Sequence, residues 1–214
     1  VTETEAIALL RQPHWLDDRN APYLWTDAAL LDAIQAGMSE AAERSRCVAF
    51  TETAELEIGE PSYTLDAAVI DVRRMLLEDS TAPLTQRTEE WLDTYRQGWR
   101  EETGTPREYV LEDDNSLTLT PTPDAVLTLT VKGYRTTTSA DALSAIPERY
   151  HRDLLHWAMY ECFAGSDPDG ENSVRAQQQL QLFEKAFGPR KSAVWDRVNR
   201  SLPAGATAVA RRIA

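Results

Sequence analysis

Residues 109–131 read YVLEDDNSLTLTPTPDAVLTLTV, and this stretch decides the fold. Tyr109-Val110-Leu111 and Leu117-Thr118-Leu119 flank the turn cluster Asp113-Asp114-Asn115-Ser116, which predicts a hairpin. Pro121 and Pro123 punctuate the chain. Leu127-Thr128-Leu129-Thr130-Val131 then alternates with period two, apolar side chains inward and threonines outward. Together these segments predict a small antiparallel meander.

Upstream, Leu84, Trp91, Leu92, Tyr95 and Trp99 predict a helix over 84–102, with a break near Gly98 and a stop at Gly104 and Pro106. Ala68 to Glu78 fits a helix or a buried strand. A strand over about 69–77 is favoured, because the run is short and lies between extended segments. Residues 47–58 alternate in part and read as a strand, Gly59-Glu60-Pro61-Ser62 as a turn, and Tyr63-Thr64-Leu65 as extended. Residues 26–46 read as a helix with Leu30, Leu31, Ile34 and Met38 on one side. Residues 2–11 read as a short capped helix, and 13–25 as a loop with aromatic anchors.

Downstream, 136–141 is a polar linker. Pro147 to about Gly165 is helical, with Leu154, Leu155, Ala158, Met159 and Cys162 on one side. A polar loop over 166–172 leads to a helix over 173–187, with Val174, Leu180, Phe183 and Phe187 as apolar contacts. A further helical turn falls at 191–199. The fold class is α+β, with helices at both ends around a β-rich middle. Residues 1–188 form the folded body and 189–214 a basic tail.

The chain has 214 residues, 42% apolar and 27% charged. That suits one domain with or without appendages and excludes a collagen-like or wholly disordered chain. The net charge is −13, which argues against a general nucleic-acid binder or an anionic membrane surface, since both need a cationic footprint. The charge is uneven. Residues 1–60 hold 4 basic and 12 acidic side chains, 61–188 hold 12 and 22, and 189–214 hold 6 and 1. No apolar run is long enough to span a membrane, and the acidic N-terminal residues do not read as a secretory signal.

Candidate chemistry is sparse. His151 and His156 are five apart, which puts the second ring roughly 140° round the helix from the first, whereas helical zinc pairs sit three or four apart. Solvated or hydrogen-bonding histidines are the simpler reading, and His14 beside Trp15 reads as a local packing residue. Asp167-Pro168-Asp169-Gly170-Glu171-Asn172 has a calcium-loop flavour, but its glycine comes one residue early and the twelfth position is Gln178. No phosphate-binding glycine loop or nucleophile elbow occurs. Cys47 and Cys162 read as free buried thiols. Cys162 lies mid-helix without a basic neighbour, so an inert thiol is expected. No catalytic residue, metal or cofactor is assigned. Trp91, Tyr95 and Trp99 form an aromatic stripe suited to the core or to an inter-subunit contact.

The order of segments resembles the head-to-tail adaptor (connector) proteins of tailed bacteriophages over about residues 20–188. Trp25, Leu30, Ile34 and Ala41-Ala42-Glu43 look like the family's opening helix, and Glu60-Pro61-Ser62-Tyr63-Thr64-Leu65 like its turn into an extended Tyr-x-Leu. Gly104-Thr105-Pro106-Arg107-Glu108-Tyr109 is similar to its helix-to-strand step. Leu119-Thr120-Pro121-Thr122-Pro123-Asp124 is similar to its Pro-x-Pro link. Ile146-Pro147-Glu148-Arg149-Tyr150 with Leu154-Leu155 and Ala158 looks like the start of its closing helices. The tail beyond Gly188 carries no motif of the family.

The resemblance implies a structural virion protein without a catalytic site, assembled in the host cytoplasm. It implies a ring, commonly of twelve subunits, below the portal protein. Such a ring continues the DNA channel toward a downstream tail or neck protein, and double-stranded DNA passes through without sequence-specific binding. In that setting Glu112, Asp113, Asp114 and Asp124 are candidates for an acidic lumen that keeps phosphates from sticking. Arg190, Lys191, Arg197, Arg200, Arg211 and Arg212, with Trp195, Leu202 and Ile213 as apolar anchors, are candidates for docking on an acidic portal surface. A tail packed on its own domain is the simpler alternative. A tail tubular or other neck ring protein, a non-viral acidic interaction module and a metal-dependent hydrolase are the other readings.

Overall fold

The helices begin where side chains can satisfy the free N–H groups of a first turn. Thr2 caps α1 (Glu3–Leu10). Its Oγ1 accepts from the Glu5 N–H at 3.3 Å while the Glu5 carboxylate accepts from the Thr2 N–H at 2.8 Å, a reciprocal capping box. Thr26 caps α2 (Asp27–Ser45) through the Ala29 N–H at 3.2 Å. The computed structural model describes residues 1–78, 80–112, 114–165 and 171–192. The sequence readings at 166–170 and 193–199 lie outside the described residues.

These residues form two units. One joins Val1–Val48 to Arg135–Arg190, and the other holds Ala49–Tyr134. The first unit is helical. α1 and α2 are joined in it by α4 (His151–Ala164) and α5 (Glu171–Phe187), with short 3-10 turns at Leu143–Ala145 and Glu148–Tyr150 before α4. Leu30, Ile34, Met38, Ala41, Leu154, Leu155, Ala158, Met159, Phe183 and Phe187 share one core. Val174, expected to face that core, is 59% exposed, and the burial on that turn falls to Ala176. The loop over 13–25 is pinned by the buried Arg11, which donates to Asp18 Oδ2 at 2.9 Å, Asp27 Oδ1 at 2.5 Å and the Trp25 carbonyl at 2.9 Å. Removing a buried guanidinium of this kind would leave its carboxylate partners unpaired. Trp15 stacks on His156 and Trp25 packs edge-on to Phe163, so the aromatic anchors hold as the composition suggested. His14 does not pack; it is exposed.

The second unit is built from two sheets. One has strand order β1 (Ala49–Leu56), β7 (Leu127–Arg135), β3 (Val69–Leu77); the other has β2 (Ser62–Thr64), β6 (Ser116–Thr120), β5 (Glu108–Leu111), β4 (Thr85–Arg87). Leu56, Val69, Met75, Tyr109, Leu117, Leu119, Leu129 and Val131 from both sheets share a single core with Leu84, which lies just before β4. The ambiguous run at 69–77 is a strand, with Val69, Val72, Met75 and Leu77 buried.

The three segments of the opening stretch do not form one meander. β5 and β6 are an antiparallel hairpin, but β7 pairs with β1 in the other sheet. Pro121 and Pro123 lack an N–H and cannot extend a ladder, so the chain leaves β6 there and crosses. The helix expected over 84–102 is only α3 (Glu89–Tyr95), capped by Thr88. Leu84 instead donates its N–H to the Met75 carbonyl at 2.9 Å and Thr85 to that of Arg107 at 3.0 Å. Gly98 then takes φ +78°, a left-handed value that glycine accepts without steric cost.

Gly133 marks the tightest approach in the second unit. A Cβ there would lie 2.0 Å from the Asp71 carbonyl oxygen and 2.9 Å from Phe50 Cε1. Gly133→Ala is therefore expected to lower stability by at least about 2 kcal/mol, since overpacking against backbone cannot relax by rotamer change; thermal unfolding checks this. In the first unit Asp141 accepts from Arg135 Nη2 at 2.7 Å and Nη1 at 2.8 Å and from the Thr138 N–H at 2.8 Å. The Arg135 guanidinium first, and the Thr138 N–H second, hold its carboxyl well below the usual carboxylate range. A carboxylate with a depressed folded pKa contributes its stability above the unfolded value near 3.9 and loses it as the pH falls toward the folded one. Acid unfolding curves should show Asp141→Asn less stable than the parent at neutral pH, with the difference shrinking below about pH 4.

Candidate functional site

The acidic candidates cluster at turns of the second unit. Glu112, Asp114 and Asp124 are all exposed; Asp113 lies outside the described residues. Asn115, at φ +65°, makes the hairpin turn and donates through Nδ2 to the carbonyls of Asp66 and Val69 at 3.2 Å each. The Asp114 carboxylate accepts from the Ser116 N–H at 2.8 Å, and the Ser116 side chain and then its N–H hold the Asp114 pKa down. Glu112 and Asp114 therefore present negative charge to solvent from a braced turn.

The aromatic stripe divides. Trp91 and Tyr95 lie on α3 with ring centroids 5.2 Å apart, and Tyr95 is 72% exposed. Trp99 lies beyond Gly98, off the helix, and is buried with Leu92 and Val110. Its Nε1 donates to Asp93 Oδ1 at 2.9 Å while Arg100 lies 4.2 Å over its ring. Spacing of four predicts one face only while the helix lasts, and this helix ends at Tyr95.

Of the basic residues, Arg190 and Lys191 are described; Trp195, Arg197, Arg200, Leu202, Arg211, Arg212 and Ile213 lie outside the described residues. Arg190 Nη2 is 3.5 Å from Glu40 Oε1. Glu40 also pairs with Arg44 at 2.8 Å, and Arg44 reaches Glu184 and the Gly188 carbonyl at 3.4 Å each. The buried Arg44 guanidinium lies 5.2 Å from the ring centroids of Trp157 and Phe183. These residues fasten the end of α5, where the basic segment departs. The Glu40–Arg44 spacing of four was a visible signal, but the partners on α5 had none.

The two histidines of α4 are held apart. His151 is buried with Nε2 2.8 Å from the Ile146 carbonyl oxygen, and His156 bonds Gln179 at 2.7 Å, so the two rings serve different partners. Among the described residues no three His, Cys, Asp or Glu side chains are grouped to hold a metal ion, and no helix is long and apolar enough to cross a membrane. Cys162 is buried, as expected, and Cys47 only half-buried. Burial pushes the Cys162 thiol up to about 12, leaving almost no thiolate at neutral pH.

The family model of the SU10 adaptor protein matches residues 8–210. The chain belongs to this adaptor family. It is a phage structural adaptor, a head-to-tail family of virion components that assemble with other virion proteins. The match extends past the resemblance at both ends. It takes in α1 from residue 8 and the basic segment to residue 210, although no motif in that segment was recognisable. Among curated proteins no sequence matches the adaptor. In the folded adaptor, Cys162 is expected to stay unmodified by iodoacetamide at neutral pH and to react once denatured; mass spectrometry of the labelled chain checks this.

Proposed function

We propose that the adaptor assembles as a ring of twelve subunits at the head-to-tail junction, joins the portal to the downstream tail or neck protein, and continues the DNA channel. The observation that carries this reading is the adaptor-family match over residues 8–210. The body, 1–188, builds the ring, and the basic segment, 189–214, docks on an acidic portal surface through Arg190, Lys191, Arg197, Arg200, Arg211 and Arg212, with Trp195, Leu202 and Ile213 as anchors. The pairing of Arg190 with Glu40 does not oppose docking. Arg190 is 71% exposed, its contact with Glu40 is 3.5 Å long, and Glu40 is already paired with Arg44 at 2.8 Å. Twelve tails acting together offset the cost of ordering each one. Glu112, Asp113, Asp114 and Asp124 face the lumen, where like charge keeps duplex phosphates from adhering. Tyr95, exposed on α3, serves as an inter-subunit contact.

Electron microscopy of the purified adaptor with portal particles is expected to show a twelve-fold ring seated on the portal. A chain lacking 189–214 should melt like the parent and fail to co-sediment with the portal. A ring that forms only on tail tubes, with no affinity for portal particles, would identify a tail tubular or other neck protein instead.

A further inference from the structure

β1 is an edge strand of the sheet β1-β7-β3. Its register with β7 shows which of its backbone groups are free. The Arg135 N–H donates to the Val48 carbonyl at 3.0 Å, directly beyond the pair Ala49↔Tyr134. On the far side of β7, the Glu78 N–H donates to the Thr128 carbonyl at 2.9 Å, so Thr128 faces β3 and its opposite number Glu55 faces away from β7. Both bonds set the same alternation. Phe50, Glu52, Ala54 and Leu56 bond to β7, while the N–H and C=O of Ala49, Thr51, Thr53 and Glu55 point off the sheet. Among the described residues these groups have no backbone partner. The other edge differs, because β3 has its Met75 carbonyl taken by Leu84 and its Val69 carbonyl by Asn115.

Ala49, Thr51, Thr53 and Glu55 are all exposed. β1 carries Glu52 and Glu55 with no lysine or arginine, and Glu57 and Glu60 follow directly after it. Glutamates along an edge block pairing with a second copy of the same edge, since like charges would lie side by side. The same charges favour a strand of opposite sign. We infer that the β1 edge is a docking site for an extended, lysine- or arginine-bearing strand of another protein, which adds to the sheet beside β1. Backbone hydrogen bonds to residues 49–55 supply affinity, and the glutamates supply charge selection. This inference is independent of the number of subunits in the ring and of portal docking by the basic segment.

The test uses the full chain and a fluorescein-labelled octapeptide of alternating lysine and valine, matching the 8 residues of β1. Anisotropy should show binding that weakens with added salt, and the glutamate–valine counterpart should not bind. Amide exchange at Thr51 and Thr53 should be fast in the free chain and slow with the lysine peptide. Thr53→Pro removes an outward N–H without touching the β7 ladder, a position where an edge strand tolerates proline; it should weaken binding at least about tenfold. The double variant Glu52→Lys/Glu55→Lys changes only exposed side chains and should exchange the peptide preference. No binding by the parent, or binding indifferent to both variants, overturns the proposal. So does protection of Thr51 and Thr53 in the free chain: independent of concentration, it assigns the edge to the chain's own basic segment, and rising with concentration, to a second copy.

Discussion

The pairing of β1 with β7 is the constraint on which the second unit depends. The chain enters that unit at Ala49 and leaves it at Tyr134, and these two residues face each other at the first rung of the ladder. An insertion whose ends are held together by consecutive rungs closes the unit without a long linker. β7 is also the central strand of its sheet, with β3 on its other side. Gly133 exists at the point where backbone and the Phe50 ring come too close for a Cβ.

The first unit depends instead on buried cations. Arg11 and Arg44 are 8% and 7% exposed; Arg11 collects carboxylates and a carbonyl from the loop that follows it and the first residue of α2, and Arg44 joins Glu40 on its own helix to Glu184 and the Gly188 carbonyl. Buried ion pairs often add little net stability over a well-packed apolar substitute. What they supply is specificity of position. Arg11 seats the aromatic loop, and Arg44 seats the end of α5 from which the basic segment departs. Together with a turn at Asn115 that holds acidic side chains in the open, this gives an adaptor whose surface features are placed by a small number of polar contacts rather than by the apolar core.

Most elements were legible in the sequence because their signals are local. A threonine at 2 or 4 suits a helix cap, Leu30-Ile34-Met38 repeat at helical spacing, and Leu127 to Val131 alternate. The strand at 69–77 was readable from its length and setting. The errors share one cause. Leu84, Trp91, Tyr95 and Trp99 keep a helical spacing, but Leu84 and Thr85 are captured by backbone partners in β3 and at Arg107, and Gly98 turns the chain before Trp99. Val174 is apolar too, but Ala176, Phe183 and Phe187 mark the buried side of α5 and Val174 lies off it.

The sequence by itself determined the α+β class, the adaptor resemblance, the acidic body with its basic end, and the hairpin around Asn115. Periodicity, capping and charge are properties of neighbouring residues and need no fold to be read. Only the tertiary structure decided that β7 crosses to a second sheet, that Trp99 leaves the stripe for the core, that Glu40 and Arg44 fasten the end of α5, and that β1 keeps an open edge. Each of these depends on which distant backbone and side-chain groups meet, and strand pairing partners are set by the shared core of both sheets rather than by any residue's own preference.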